Sequence, residues 1–216
     1  MKKKIGIFGG SFDPPTQAHL QVGEELLDKG VVNEVWYMPA LHTSHGKVLS
    51  SFDARVDMLM RMISSSTFHF GELHMTRWEA HIDDNNGRTL DTMTKFLKEY
   101  NKTHPDCEFY FIVGMDNALN IHKFYKWHDL INLMPFIILD RTNNRGDKIN
   151  HYNPNGLWFN KEPHIYVDDI EIMEASSTQV RNELSLMNEW GLSATFFEMC
   201  NRDVFKYIIE KGLYEN

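Results

Sequence analysis

A short apolar run from Lys4 to Phe8 ends in Gly9-Gly10, and from about Ala18 to Lys29 a stretch of helical periodicity follows, closed by Gly30. No other feature constrains the fold as much. Strand, glycine turn and helix in this order set a helix N-terminus directly beyond the carboxyl end of a strand, and glycine at the helix stop supplies the left-handed residue that such stops favour. The alternation then repeats. Glu34 to Met38 reads as a second strand, and Phe52, Val56, Leu59, Met60 and Ile63 recur at helical spacing behind the cap candidates Ser50 and Ser51. Leu90, Met93, Leu97 and Tyr100 mark a third helix, and the β-rich Phe109-Tyr110-Phe111-Ile112-Val113 has the character of a strand buried on both faces. Phe136 to Leu139 and Ile165 to Val167 add two strands, and helices near Thr178 to Met187 and Arg202 to Lys211 complete the series. The expected fold is α/β, a doubly wound, Rossmann-like parallel sheet covered on both sides, with C-terminal helices and with ligands gathered at the carboxyl ends of the strands.

One domain over residues 1–216 is the expectation, since α/β folds of this length commonly form one continuous core. The polar, turn-rich segment 142–163 is read as a lid or a mobile stretch inside that domain. The run after Lys2-Lys3-Lys4 is too short for a signal segment or a membrane span, so a cytoplasmic protein is expected. Cys107 and Cys200 match no metal spacing and no disulfide framework, and both read as structural thiols. A formal charge of -8 with no Lys/Arg block argues against an extended nucleic-acid surface, but a few cations and backbone amides focused in one cleft are enough for a small anionic ligand. Oligomeric state is left open.

The string Gly9-Gly10-Ser11-Phe12-Asp13-Pro14-Pro15-Thr16-Gln17-Ala18-His19 joins the first strand to the first helix and sets His19 in the opening turn of that helix. Free N–H groups and the positive dipole end favour anions there, and glycines let a phosphate approach the backbone. Taken as a bare glycine pair, this reads first as a tight turn with an incidental histidine. Far down the chain, Ala175-Ser176-Ser177-Thr178-Gln179-Val180-Arg181 offers three capping hydroxyls and an arginine one turn into a helix, which is also an ordinary capped helix if read alone. After the buried strand come Gly114-Met115-Asp116 and an aromatic stretch with Phe124, Tyr125 and Trp127, aromatics that could equally be core.

Together the first two strings resemble the signature of the nucleotidyltransferase superfamily, with its (H/T)-x-G-H and I-S-S-T-x-x-R motifs. Thr16 and His19 match the polar positions of the first, and Ala18 stands where the family has glycine, so its methyl is expected beside the nucleotide. The third string resembles the nicotinate/nicotinamide mononucleotide adenylyltransferase branch, where an aromatic a few residues beyond G-x-D stacks on the pyridine ring; here either Phe124 or Trp127 fits that place. Weaker matches run over nearly the whole chain, through the loop from His42 to Lys47, Ser51 to Arg55, Thr89 to Thr92, Arg141 and the ending around Tyr207 and Tyr214.

The resemblance implies an enzyme that transfers AMP from ATP to a pyridine mononucleotide, releasing pyrophosphate, in NAD biosynthesis. It assigns catalysis to His19, Thr16 and Arg181, and ATP binding to Gly9, Gly10, Ser11, Phe12, Gly114, Asp116, Ser177 and Thr178. The mononucleotide falls to His45, Lys47, Arg88, Thr89, Phe124, Trp127 and Arg141. Arg88 is the candidate reader of a pyridine carboxylate, unless Asp83 and Asp84 neutralise it. Mg2+ is expected to travel with ATP, and no protein metal site is implied, His42 and His45 lacking a third ligand nearby. Other readings of the same residues are transfer to phosphopantetheine or another phosphometabolite, and a nucleotide-binding sensor with blunted catalysis.

Overall fold

The computed structural model describes residues 2–42, 48–66, 71–83, 86–142, 157–190 and 193–214. Its centre is a six-stranded, wholly parallel sheet. In chain order the strands are β1 (Lys3–Gly10), β2 (Glu34–Pro39), β3 (Leu73–Met75), β4 (Cys107–Gly114), β5 (Phe136–Thr142) and β6 (Ile165–Glu171), and in space they run β3-β2-β1-β4-β5-β6. The order reverses between β1 and β4, which pair in parallel with Ile5 opposite Phe109 and Phe8 opposite Ile112. In such sheets the crevice outside the carboxyl ends at this reversal is where ligands bind.

Side-chain alternation divides the core into two layers. Ile5 and Ile7 of β1, Phe109, Phe111 and Val113 of β4, and Phe136 and Ile138 of β5 join one cluster; Tyr110, Ile112, Ile137 and Leu139 of the same strands join the other. Helices α3 (Thr89–Thr103), α4 (Met115–Leu119) and α5 (Trp127–Leu133) cover the first layer through Met93, Phe96, Met115, Ala118 and Leu130. The second is covered by α1 (Gln17–Asp28), α2 (Phe52–Ile63), α6 (Ser177–Trp190), α7 (Ala194–Met199) and α8 (Arg202–Glu210), through residues such as Leu26, Leu59, Val180, Phe196 and Ile208. Each of these fully buried aliphatic and aromatic side chains contributes about 1.5–3 kcal/mol of burial, so neither layer is dispensable.

The predicted strands and helices are all present, and the additions are short. β3 has three residues, α4, α5 and α7 have five to seven, and none is long enough to carry a readable period. Ser51 is the residue that caps α2, accepting from the Ala54 N–H at 3.2 Å. Of the segment expected to form a lid or a mobile stretch, residues 157–163 are described: Phe159 is buried and the Trp158 indole donates to the Ala118 carbonyl at 3.2 Å, while residues 160–163 are exposed. Among the described residues no helix is long and apolar enough to cross a membrane.

Candidate active site

A cavity of about 320 Å³ opens at the carboxyl ends of β1 and β4. Its wall brings together Gly9, Gly10 and Ser11 from the end of β1, Gly114 and Asn117 from β4 and α4, Phe124 from the following turn, and Gly87 and Thr89 at the start of α3. His42, Glu79 and Thr92 add to its polar lining. Segments separated by about a hundred residues therefore meet at the strand reversal, as the fold requires of a ligand site.

Next to this cavity the glycine turn leads into α1, and its hydrogen bonds define the state of His19. The Thr16 backbone N–H donates to His19 Nδ1 at 2.9 Å, and the Thr16 hydroxyl lies 2.8 Å from the same nitrogen. A backbone amide can only donate, so Nδ1 is the acceptor and the proton of the neutral ring is assigned to Nε2. Thr16 is fully buried, and its hydroxyl faces the imidazole. Beneath the ring, the buried Tyr37 hydroxyl donates to the His19 carbonyl at 3.0 Å, and burial pushes that phenol's pKa up, keeping it a donor.

The second motif folds back onto the first across more than 160 residues. The Ser177 hydroxyl donates to the Pro14 carbonyl at 2.8 Å, and the Arg181 guanidinium donates to the Asp13 carbonyl and, at 3.1 Å, to the Thr178 hydroxyl. The Ser176 hydroxyl accepts from the Gln179 N–H at 3.2 Å and so caps the helix. The start of α6 is thus fixed beside the turn that precedes α1, and two helix N-termini face one neighbourhood.

Several assigned residues stand elsewhere than the resemblance implies. The Phe12 ring is 1% exposed and packs edge-on to His19 at 5.1 Å, in the core beneath the turn rather than in the cleft. Ala18 is 5% exposed, belongs to the core layer under α1 and is not among the residues that line the cavity. Of the two aromatic candidates, Phe124 lines the cavity; Trp127 does not, and its ring stacks on His128. Asp116 is exposed on α4 and outside the lining. Arg88 lies between two lining residues, but its guanidinium is stacked over the Tyr125 ring at 4.1 Å. His45 and Lys47 fall outside the described residues, as does the side chain of Arg141, whose backbone belongs to β5. Asp84 is also outside them.

Glu79 and Asn117 line the cavity without having been named from the sequence, and Thr92 and Met93, read there only as part of a family match and as a helix position, line it too. Asn117 had a signal, lying one residue beyond the Gly114-Met115-Asp116 string at the end of a buried strand. Glu79 had none: it reaches the wall from a 3-10 turn, where its carboxylate accepts from the Leu41 N–H at 2.8 Å. Among the described residues no group of three or more His, Cys, Asp or Glu is placed to hold a metal ion.

Comparison with known proteins gives a consistent picture. The model of the Cytidylyltransferase-like family matches residues 7–183. Nicotinate-nucleotide adenylyltransferase of Bacillus subtilis (strain 168) is 31% identical over 218 residues, covering 99% of this chain and 100% of the relative. Probable nicotinate-nucleotide adenylyltransferase of Bacillus licheniformis is 33% identical over 186 residues, covering 84% of this chain and 86% of the relative. In fold, the chain is similar to nicotinic acid mononucleotide adenylyltransferase of Plasmodium falciparum complexed with NaAD, with a TM-score of 0.75 at 22% identity over 98% of this chain and 97% of that one.

Proposed function

Because the chain belongs to the Cytidylyltransferase-like family, in the group of nicotinate-nucleotide adenylyltransferases, we propose that the cavity at the β1/β4 reversal is where AMP passes from ATP to nicotinate mononucleotide. The observation that carries the reading is the meeting of three sequence motifs in one place. The glycine turn and Gly114 wall one cavity with Thr89 and Phe124, and the serine and arginine of the second motif are bonded to that same turn.

In the reaction an oxygen of the mononucleotide phosphate attacks the α-phosphorus of ATP. The new O–P bond forms as the bond to the bridging α,β-oxygen breaks, and the electron pair leaves on pyrophosphate. A phosphate monoester is already mostly ionised near neutral pH, its second pKa being about 6, so no side chain has to remove a proton from the nucleophile. Positioning and charge stabilisation carry the catalysis. His19, neutral with its proton on Nε2, offers a donor to the phosphate oxygens where charge builds, and Thr16 fixes the ring. The amides at the starts of α1 and α6, with Ser177, Thr178 and Arg181, are assigned to the departing pyrophosphate. Gly9, Gly10, Ser11 and Gly114 allow the nucleotide to lie close to the backbone, and Phe124 is assigned to the pyridine ring. Magnesium is read as part of the ATP substrate, screening its phosphate charge; an ion held mainly through phosphates and water suits a site with few carboxylates.

The name of the relatives favours the acid as acceptor, and Arg88, at the cavity's rim between Gly87 and Thr89, is our candidate for reading its carboxylate by swinging off Tyr125. The one continuous sheet supports reading residues 1–216 as a single domain, and soluble nucleotide substrates support a cytoplasmic enzyme. The test is pyrophosphate release from ATP with nicotinate mononucleotide, nicotinamide mononucleotide and phosphopantetheine, in wild type and Arg88→Ala. The expected result is turnover with the pyridine mononucleotides, the acid preferred, and an acid-to-amide ratio of kcat/KM that falls in the variant. Turnover with phosphopantetheine alone, or with no acceptor, would contradict the reading.

A further inference from the structure

Side chains from three remote segments converge on residues 11–14, two of them on backbone carbonyls and one on the Asp13 carboxylate. Arg55, 1% exposed, donates through Nη1 to the Ser11 carbonyl at 2.8 Å and through Nε to the Ser50 carbonyl at 3.1 Å. Arg181 takes the Asp13 carbonyl and Ser177 the Pro14 carbonyl, as described. The fourth group is Tyr214, in the turn that follows α8. Its hydroxyl donates to the Asp13 carboxylate at 2.5 Å, and the other oxygen of that carboxylate accepts from the Ser50 N–H at 3.3 Å. Asp13 is 2% exposed, so its charge is consumed by these internal partners and by the nearby Arg55, and it is not displayed to a substrate.

The backbone marks the same junction. Among the described residues, non-glycine residues with left-handed φ are Phe12 at 49°, Lys126 at 47° and Tyr214 at 63°. Two of the three flank the Tyr214–Asp13 bond. Left-handed backbone at a bulky L-residue is held only where surrounding contacts over-determine it, and such strain concentrates at sites that must keep one geometry. Phe12 in turn lies edge-on to His19. A path of direct contacts therefore runs from Tyr214 through Asp13 and its neighbour Phe12 to the imidazole.

We propose that Tyr214 is a positioning residue: by holding the buried Asp13 carboxylate, the turn after α8 sets the shape of the 11–14 segment and with it the aim of His19 at the phosphates of ATP. The proposal rests on the reading of the glycine turn as the ATP phosphate site. A matched control is built into the fold, because Tyr207 of α8 makes the same kind of bond, its hydroxyl donating to the Asp57 carboxylate of α2 at 2.9 Å, away from residues 11–14. Removing either hydroxyl deletes one tyrosine–aspartate bond between the end of the fold and its body, with a bond to the Ser50 side chain lost as well at Tyr214. Only one of the two touches the turn.

Tyr214→Phe and Tyr207→Phe are compared with wild type in thermal unfolding, in kcat and KM with ATP and nicotinate mononucleotide, and in calorimetric titration with a non-hydrolysable ATP analogue. We expect Tyr214→Phe to lose about 10- to 100-fold in kcat, the scale of misplacing a reacting group by a fraction of its contact distance, and about fivefold or more in analogue affinity. Its KM for the mononucleotide should stay within about twofold. Tyr207→Phe should lose comparable thermal stability yet keep its kcat. Equal kcat and analogue affinity in Tyr214→Phe and wild type would overturn the proposal, as would an equal loss of kcat in Tyr207→Phe. A Tyr214→Phe protein that does not fold would overturn it too, by making the hydroxyl a purely structural group. Should wild type transfer AMP to none of the acceptors, the analogue titration still decides: weaker binding in Tyr214→Phe upholds the positioning role while the transfer reading falls.

Discussion

Gly10→Ala is the perturbation whose cost can be worked most directly from the geometry. A Cβ on Gly10 would stand 3.0 Å from Phe12 Cζ and 3.2 Å from both Phe12 Cε atoms, inside ordinary contact distance for three atoms of one ring. The ring has no easy retreat. It is 1% exposed and wedged edge-on against Phe8, His19 and Tyr37 at centroid distances of 5.7, 5.1 and 5.9 Å, on a backbone already at φ 49°. Overpacking of this kind costs about 1–3 kcal/mol. At about 2–4 °C per kcal/mol for a chain of this size, the melting temperature should fall by about 2–12 °C. Relief of the clash must tilt either the turn or the ring against His19, so turnover with ATP and nicotinate mononucleotide should drop about 100-fold as well. Calorimetric unfolding and steady-state kinetics on the same preparation check both numbers. A variant that melts within about 1 °C of wild type and keeps its turnover would refute the claim that Phe12 is fixed and that the turn is tight.

Ala18→Gly should cost about 1 kcal/mol of stability, through the lost core methyl and the flexibility of glycine in a helix, and should not raise activity; faster turnover without destabilisation would return the methyl to the nucleotide side. Phe124→Ala should raise KM for the mononucleotide about tenfold and leave KM for ATP alone, whereas Trp127→Ala should do neither; the reverse pattern in kinetics would move the ring platform to Trp127. Arg181→Ala should weaken ATP use without changing the ratio between acceptors, because the pyrophosphate end is common to every transfer, and a selective loss of one acceptor would contradict its placement.

The frame of the fold was legible because its decisive strands are long enough to show their character: Phe109 to Val113 and Phe136 to Leu139 are continuous apolar runs, which only a sheet covered on both faces can bury. β3 was not legible, since Leu73–Met75 offers three residues and no period. The phase of Ala18 could have been read. Ala18, Val22 and Leu26 recur every four residues and are all buried, which turns Ala18 to the core and His19 about 100° away from it. The motifs identified Gly9, Gly10, Gly114, Thr89 and Phe124 of the cavity wall, but not Gly87, nor what each polar group bonds to. Thr16 serves His19 within one turn, in a capping box where histidine stands in for the usual Glu or Gln, whereas the hold of Arg181 on the Asp13 carbonyl is a fact of tertiary contact between segments far apart in sequence. Glu79 and Tyr214 enter for the same reason, each from a turn whose place in space no local pattern specifies.

On the proposed reading His19, held by Thr16 with its proton on Nε2, stabilises charge on the phosphates as AMP is transferred. Single-turnover formation of the dinucleotide from saturating ATP and nicotinate mononucleotide, measured in wild type and His19→Ala, tests it directly. The account predicts a fall of at least ~100-fold in the chemical step, with the variant folded and still binding ATP. A His19→Ala enzyme that forms dinucleotide at the wild-type rate would contradict it.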